Sequence, residues 1–136
     1  MSAAPAIRFD HAGLTVLDLD AAAAFYGRAF AFAPALEFAL GDVRGAMLEH
    51  PSGMRLELFA VPDPQPGVEG RPPLEAVRTR GFGHVAFAAP DIGPLFAEAV
   101  AAGAREVLVP QDSPESGVRF AFLADPEGNL VELVER

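Results

Sequence analysis

The chain has 136 residues, 51% of them apolar, a net charge of −9 at pH 7 and no cysteine. That length suits one domain with its own core, no apolar run nears the roughly 20 residues of a membrane span, and the acidic balance argues against nucleic acid. Without thiols there is no disulfide framework, and any metal must be held by His and carboxylates. Met1 to Ile7 has neither a basic start nor a long apolar stretch, so no signal peptide is expected and the cytoplasm is the expected location.

Ile7 to Val16 reads as a strand. Asp18 or Asp20 can cap a helix through Asp20 to Phe30. Strands are expected near Ala35–Leu40, Val43–Glu49 and Met54–Ala60, the last two joined by a turn at His50-Pro51-Ser52-Gly53. Pro62 to Arg80, rich in Pro and Gly, reads as a surface connection long enough to cross between modules or toward a partner chain. A strand at Phe82–Ala88 and a helix from about Asp91 to Ala102 follow, with Gly103 suited to a left-handed helix end. Strands near Ala104–Val109, Val118–Leu123 and Leu130–Glu135 complete the chain, with Asp125-Pro126-Glu127-Gly128-Asn129 as the final turn.

This order repeats. Phe9-Asp10-His11-Ala12-Gly13-Leu14 is similar to Phe82-Gly83-His84-Val85-Ala86-Phe87 at an offset of 73, and Asp18 falls on Asp91. Later the offset is 75, placing Arg44 on Arg119, Leu48 on Leu123, Pro51 on Pro126, Gly53 on Gly128 and Glu57 on Glu132. The change implies extra residues in the second copy, near Gln111 to Ser116. The chain therefore reads as a single domain, 1–136, of two βαβββ modules, about 6–61 and 81–136, joined by 62–80.

Two of the three histidines, His11 and His84, occupy matching positions, as do Glu57 and Glu132. Met54, Leu56 and Leu58 share one strand face and look like core, while Glu57 points the other way. Glu132 sits amid apolar neighbours, a poor place for a carboxylate without a partner. A strand His is commonly a satisfied core residue and a strand Glu a solvated one, but neither explains the matched positions. Together the four make an N2O2 donor set of charge −2 that a divalent cation balances, suited to Zn, Ni, Co, Mn or Fe(II) and lacking the thiolates of a structural zinc site. One chain or two could build it. His50 reads as a turn residue.

These motifs resemble the vicinal oxygen chelate superfamily of glyoxalases, epimerases, extradiol dioxygenases and bleomycin-binding proteins. The resemblance spans Ile7 to Glu135. It is carried by His11 to Val16 with Asp18-Leu19-Asp20 and Phe25-Tyr26, by Leu56-Glu57-Leu58, by Gly83-His84-Val85-Ala86, and by Asp125 to Asn129 before Val131-Glu132-Leu133. It implies an α+β fold in which the tandem βαβββ modules form a cup-shaped mixed sheet around a metal site, usually in a homodimer. In the glyoxalase branch all four corresponding positions bind metal, and His11, Glu57, His84 and Glu132 fit that branch. Extradiol dioxygenases use three ligands, and bleomycin-binding members lack the set. Thr15 and Val61 replace an Arg and an Asn that contact glutathione in bacterial glyoxalase I, which speaks against that cofactor.

The expected activity is a metal-dependent isomerase or lyase of glyoxalase type, acting on a small oxygen-chelating substrate through an enediolate. Glu132, or Glu57 opposite it, would serve as the base. The alternatives are an Fe(II) extradiol-type dioxygenase, or a binding protein for a small natural product or antibiotic using Phe9, Phe38, Phe59, Phe82 and Phe120. No substrate-binding residue is assigned.

Overall fold

The computed structural model describes residues 4–67 and 69–136. The first copy runs β1 (Ala12–Thr15), α1 (Leu19–Phe30), β2 (Ala33–Leu40), β3 (Val43–Glu49) and β4 (Arg55–Ala60). After a short α2 (Pro73–Ala76), the second copy runs β5 (His84–Ala89), α3 (Ile92–Ala101), β6 (Arg105–Asp112), β7 (Arg119–Ala124) and β8 (Leu130–Glu135). Each copy forms its own four-stranded sheet, ordered β1-β4-β3-β2 and β5-β8-β7-β6. In both, the first strand lies parallel to the last and the other pairings are antiparallel. Strands β1 and β5 are thus edges, each with one unpaired side.

Three expectations need correction. The strand expected from Ile7 starts only at Ala12, where pairing with Leu56 of β4 begins; before it the backbone has no neighbouring strand to satisfy it. His11 therefore stands just before its strand, and His84 opens β5 instead of lying inside it. Met54, expected in the core, precedes β4 and is 38% exposed. The connection, read as a surface segment, carries the short α2, with Pro73 in its first turn where a missing N–H costs nothing. The extra residues fall where the offset changes: 113–118 link β6 to β7, whereas Gly41 and Asp42 alone link β2 to β3.

The helices begin on the two aspartates. Asp18 accepts a bond from Ala21 N (2.9 Å) and Asp91 one from Gly93 N (3.1 Å). Helix α1 ends on Ala31 with φ +62, a left-handed position that glycine fills more easily. Its inner face of Leu19, Ala22, Phe25, Tyr26, Ala29 and Phe30 is buried. Each fully buried aromatic here contributes roughly 2–3 kcal/mol of transfer free energy.

One core serves both copies, because α1 packs on α3 and the cluster includes Leu48 and Leu58 from one sheet with Leu123 and Leu133 from the other. The rings of Phe30 and Phe32 lie 5.1 and 5.6 Å from Phe87. Polar contacts fix the angle. Tyr26 donates its hydroxyl proton to Asp125 (2.8 Å), which also accepts from Glu127 N, Asn129 N and Asn129 Nδ2. Four donors make a 3%-exposed carboxylate tolerable. From the same turn, Glu127 accepts Leu17 N and Asp18 N at the start of α1. The connection docks on this second copy: Arg105 donates to Gly70 O (2.8 Å), and Gly128, at φ +91, leaves room for the Glu69 backbone where a Cβ would come within 3.1 Å.

Candidate metal centre

The same local geometry occurs twice. In the parallel pairing of β1 with β4, Gly13 lies opposite Glu57; in that of β5 with β8, Ala86 lies opposite Glu132. Each histidine stands two residues before the partner of its glutamate, so alternation puts imidazole and carboxylate on one sheet face. That face is the one turned away from the helices, since Leu56, Leu58, Val131 and Leu133 are buried on the other. His11 Nε2 lies 3.3 Å from Glu57 Oε1, and His84 Nε2 lies 3.1 Å from Glu132 Oε2.

Two pairs result, not a group of four. Among the described residues, no three His, Asp or Glu side chains gather as a metal cage. The donors of each pair nevertheless suit a divalent ion. Two ligands on neighbouring positions, each about 2.0–2.2 Å from a metal, stand about 2.8–3.6 Å apart, and both pairs fall in that interval. All four side chains are partly exposed, so neither pair is shut off from solvent or from further ligands.

The pairs differ in their second neighbours. His11 Nδ1 lies 2.6 Å from Asp10 Oδ2, and Arg55 Nη1 lies 3.5 Å from the same oxygen. The hydrogen bond with His11 holds the Asp10 carboxyl below its ordinary range despite some desolvation, with Arg55 helping. The same bond raises His11, against desolvation and with help from Glu57. His84 instead meets the ring of Phe122 edge-on at 5.1 Å, and Phe122 lies directly opposite Glu132.

The remaining surroundings are apolar. Met47 pairs with Glu57, and Phe38 packs 6.0 Å from Phe59 over Gly45, where a Cβ would collide with its ring at 2.2 Å. Phe120 lies 6.1 Å from Phe122. These rings flank the pairs, while Phe9 and Phe82 are exposed on a cleft of about 1030 Å³ between β1 and β5. His11 and His84 both line that cleft, together with 64–67 and the turn at 127–130; the two glutamates do not. Arg55 shares the Glu57 face but is held by Glu49 (3.1 Å) and Asp10. Arg119 is on the helix side, paired with Glu135 (3.9 Å). His50 is a turn residue, its Nδ1 accepting from Ser52 N (3.0 Å).

Sequence reasoning passed over Asp10 and the joint made by Asp125 and Glu127. For Asp10 a signal existed: the second copy has Gly83 in its place, so the repeats diverge beside a conserved pair of candidate ligands within the chain.

Comparison with known proteins agrees with this architecture. The model of the Glyoxalase/Bleomycin resistance protein/Dioxygenase superfamily matches residues 8–133. The chain belongs to that superfamily. A glyoxalase family protein from Enterococcus faecalis superposes with a TM-score of 0.77 at 22% identity, over 94% of this chain and 97% of that one. One from Bacillus cereus gives 0.77 at 24%, over 99% and 97%. Glyoxalase I from Zea mays gives 0.75 at 24%, covering 95% of this chain but only 44% of its own length. Such identities carry the fold and not the reaction. No curated protein matches closely enough to count as a relative. No helix among the described residues is long and apolar enough to cross a membrane.

Proposed function

We propose that this protein is a divalent-metal-dependent isomerase or lyase of glyoxalase type, acting as a homodimer on a small oxygen-chelating substrate. His11 and Glu57 of one chain would hold the metal with His84 and Glu132 of a second chain, giving two sites per dimer. The observation that carries this reading is the pair of matched half-sites, each with donors at ligand spacing and neither with more than two. Each lies beside an open edge strand, which a second copy can approach and which an isolated chain leaves unsatisfied.

When bound, the ion (Zn, Ni, Co, Mn or Fe) would polarise neighbouring substrate oxygens and stabilise the charge that develops there. The protein supplies the rest. Glu132 takes the proton from the hydroxyl-bearing carbon and returns it to the neighbouring carbonyl carbon, while the hydroxyl proton passes to the former carbonyl oxygen, so that the isomer forms with no net charge left behind. Phe122 lies opposite Glu132 and meets the His84 ring edge-on, so it borders the pair on its sheet face. Phe38 with Phe59, and Phe120 with Phe122, add apolar rings to the sheet faces that carry the two pairs. Glu57 completes the donor set, a carboxylate that an oxygen-activating site with three ligands would not carry.

The test is elemental analysis of protein purified without added metal, followed by turnover of α-hydroxycarbonyl compounds with each metal in turn. One metal per chain with proton exchange at the α-carbon supports the reading. Absence of metal uptake, with tight binding of aromatic natural products in the cleft beside Phe9 and Phe82, would favour a binding protein instead.

A further inference from the structure

A neutral imidazole carries its proton on one ring nitrogen and offers a lone pair only from the other, so an incoming metal depends on which tautomer is present. The two half-sites meet this need differently. Asp10 Oδ2 stands 2.6 Å from His11 Nδ1, a distance at which the nitrogen donates its proton to the carboxylate and Nε2 is left as the lone-pair end. Nε2 is also the atom that faces Glu57. Asp10 is itself steered by Arg55, which Glu49 grips at 3.1 Å, so a line of alternating charge runs from β3 across β4 to the ring. In the second copy Gly83 occupies the equivalent position and offers no acceptor; His84 rests against Phe122 instead.

We infer that Asp10 is a positioning residue, which locks His11 in its Nδ1–H form and makes the first half-site the one preset to capture a metal ion. The half-sites are then unequal: His11 and Glu57 seize the ion, and His84 and Glu132 close on it. The metal part of this inference rests on the proposed function; the tautomer part does not. Carboxylates behind metal-binding histidines act in this way in general, and removing one commonly weakens metal binding about 10- to 100-fold.

Two measurements on the full-length protein and its Asp10→Ala and Asp10→Asn variants test it. Long-range nitrogen–proton correlation on metal-free protein, recorded at rising pH until the ring nitrogen shifts stop changing, reads the tautomer of the neutral rings directly. Wild-type His11 should be protonated on Nδ1, Asp10→Ala should shift it toward a mixture, and His84 should not change. Titration with Co(II), followed by its visible absorption, should then show a Kd about 10- to 100-fold weaker for Asp10→Ala. The asparagine variant, which keeps an oxygen acceptor, should recover most of that loss. Melting temperatures without metal should agree, because Asp10 is an exposed residue outside the core. Wild-type His11 protonated on Nε2, or an alanine variant that binds Co(II) like the wild type, would overturn the assignment. A wild type that takes up no Co(II) would instead refute the metal reading, and the tautomer result would still decide the role of Asp10.

Discussion

The proposed sharing of ligands between two chains makes a quantitative prediction about mixed dimers. Let one variant carry His11→Ala with Glu57→Ala, and a second carry His84→Ala with Glu132→Ala. Each alone keeps only one kind of half-site, so neither homodimer can assemble four donors, and both should be inactive and bind metal weakly. A heterodimer is different. Its first chain supplies an intact His84–Glu132 pair and its second an intact His11–Glu57 pair, which restores one complete site and leaves the other without any of the four donors. Unfolding and refolding an equal mixture should give about half heterodimers, each with one of two sites restored, hence about a quarter of wild-type activity and high-affinity metal. The substituted side chains are partly exposed and lie off the shared core, so the fold should survive. Turnover and metal content of the purified heterodimer, separated through two different affinity tags, provide the assay and should reach about half of the wild-type values, since one of its two sites is restored. No recovery from a correctly formed heterodimer would refute assembly across chains.

Other expectations are simpler. Glu132→Gln should lower kcat at least about 100-fold while metal is retained, because an amide can coordinate weakly but cannot accept a proton; Glu57→Gln should cost less, and steady-state kinetics beside metal analysis would show a reversed order if the base were misassigned. The hemithioacetal of methylglyoxal and glutathione should be a poor substrate, with kcat/KM below about 10⁴ M⁻¹s⁻¹ for every metal, since Thr15 and Val61 offer no grip, Arg119 faces the helices and Arg55 is already paired. Tyr26 yields a pH test. Burial, and then Asp125, push its hydroxyl well above the ordinary value of 10.0, whereas the unfolded chain ionises near that value. The folded form thus holds the proton more tightly, and its stability is full below about pH 10 and falls as the pH rises beyond. Tyr26→Phe should flatten that alkaline decline in denaturant melts, at a cost of about 1–2 kcal/mol near neutrality for the lost bond to Asp125; an unchanged decline would refute the argument.

Much of this molecule is readable without coordinates because it depends on near neighbours in the chain. Asp18 and Asp91 stop the backbone and start helices by bonding to amides two or three residues on. The two-residue alternation of β4 and β8 sorts Leu56 and Leu58, or Val131 and Leu133, from Glu57 and Glu132. The match of His11 with His84, and of Glu57 with Glu132, is a property of the repeat and needs no fold to be seen. What the alternation could not decide is which residues meet. The edge strand β1 begins at Ala12 and not Ile7 because Leu56 is its first partner, a fact of register between distant segments. Register also sends Arg119 to the helix side with Glu135, away from Glu132. Above all, the separation of the four candidate ligands into two pairs follows from how α1 packs on α3 and how Tyr26 and Glu127 tie the copies together through Asp125 and the start of α1. Those contacts join residues roughly a hundred positions apart, and local periodicity carries no information about the angle at which two such modules lock.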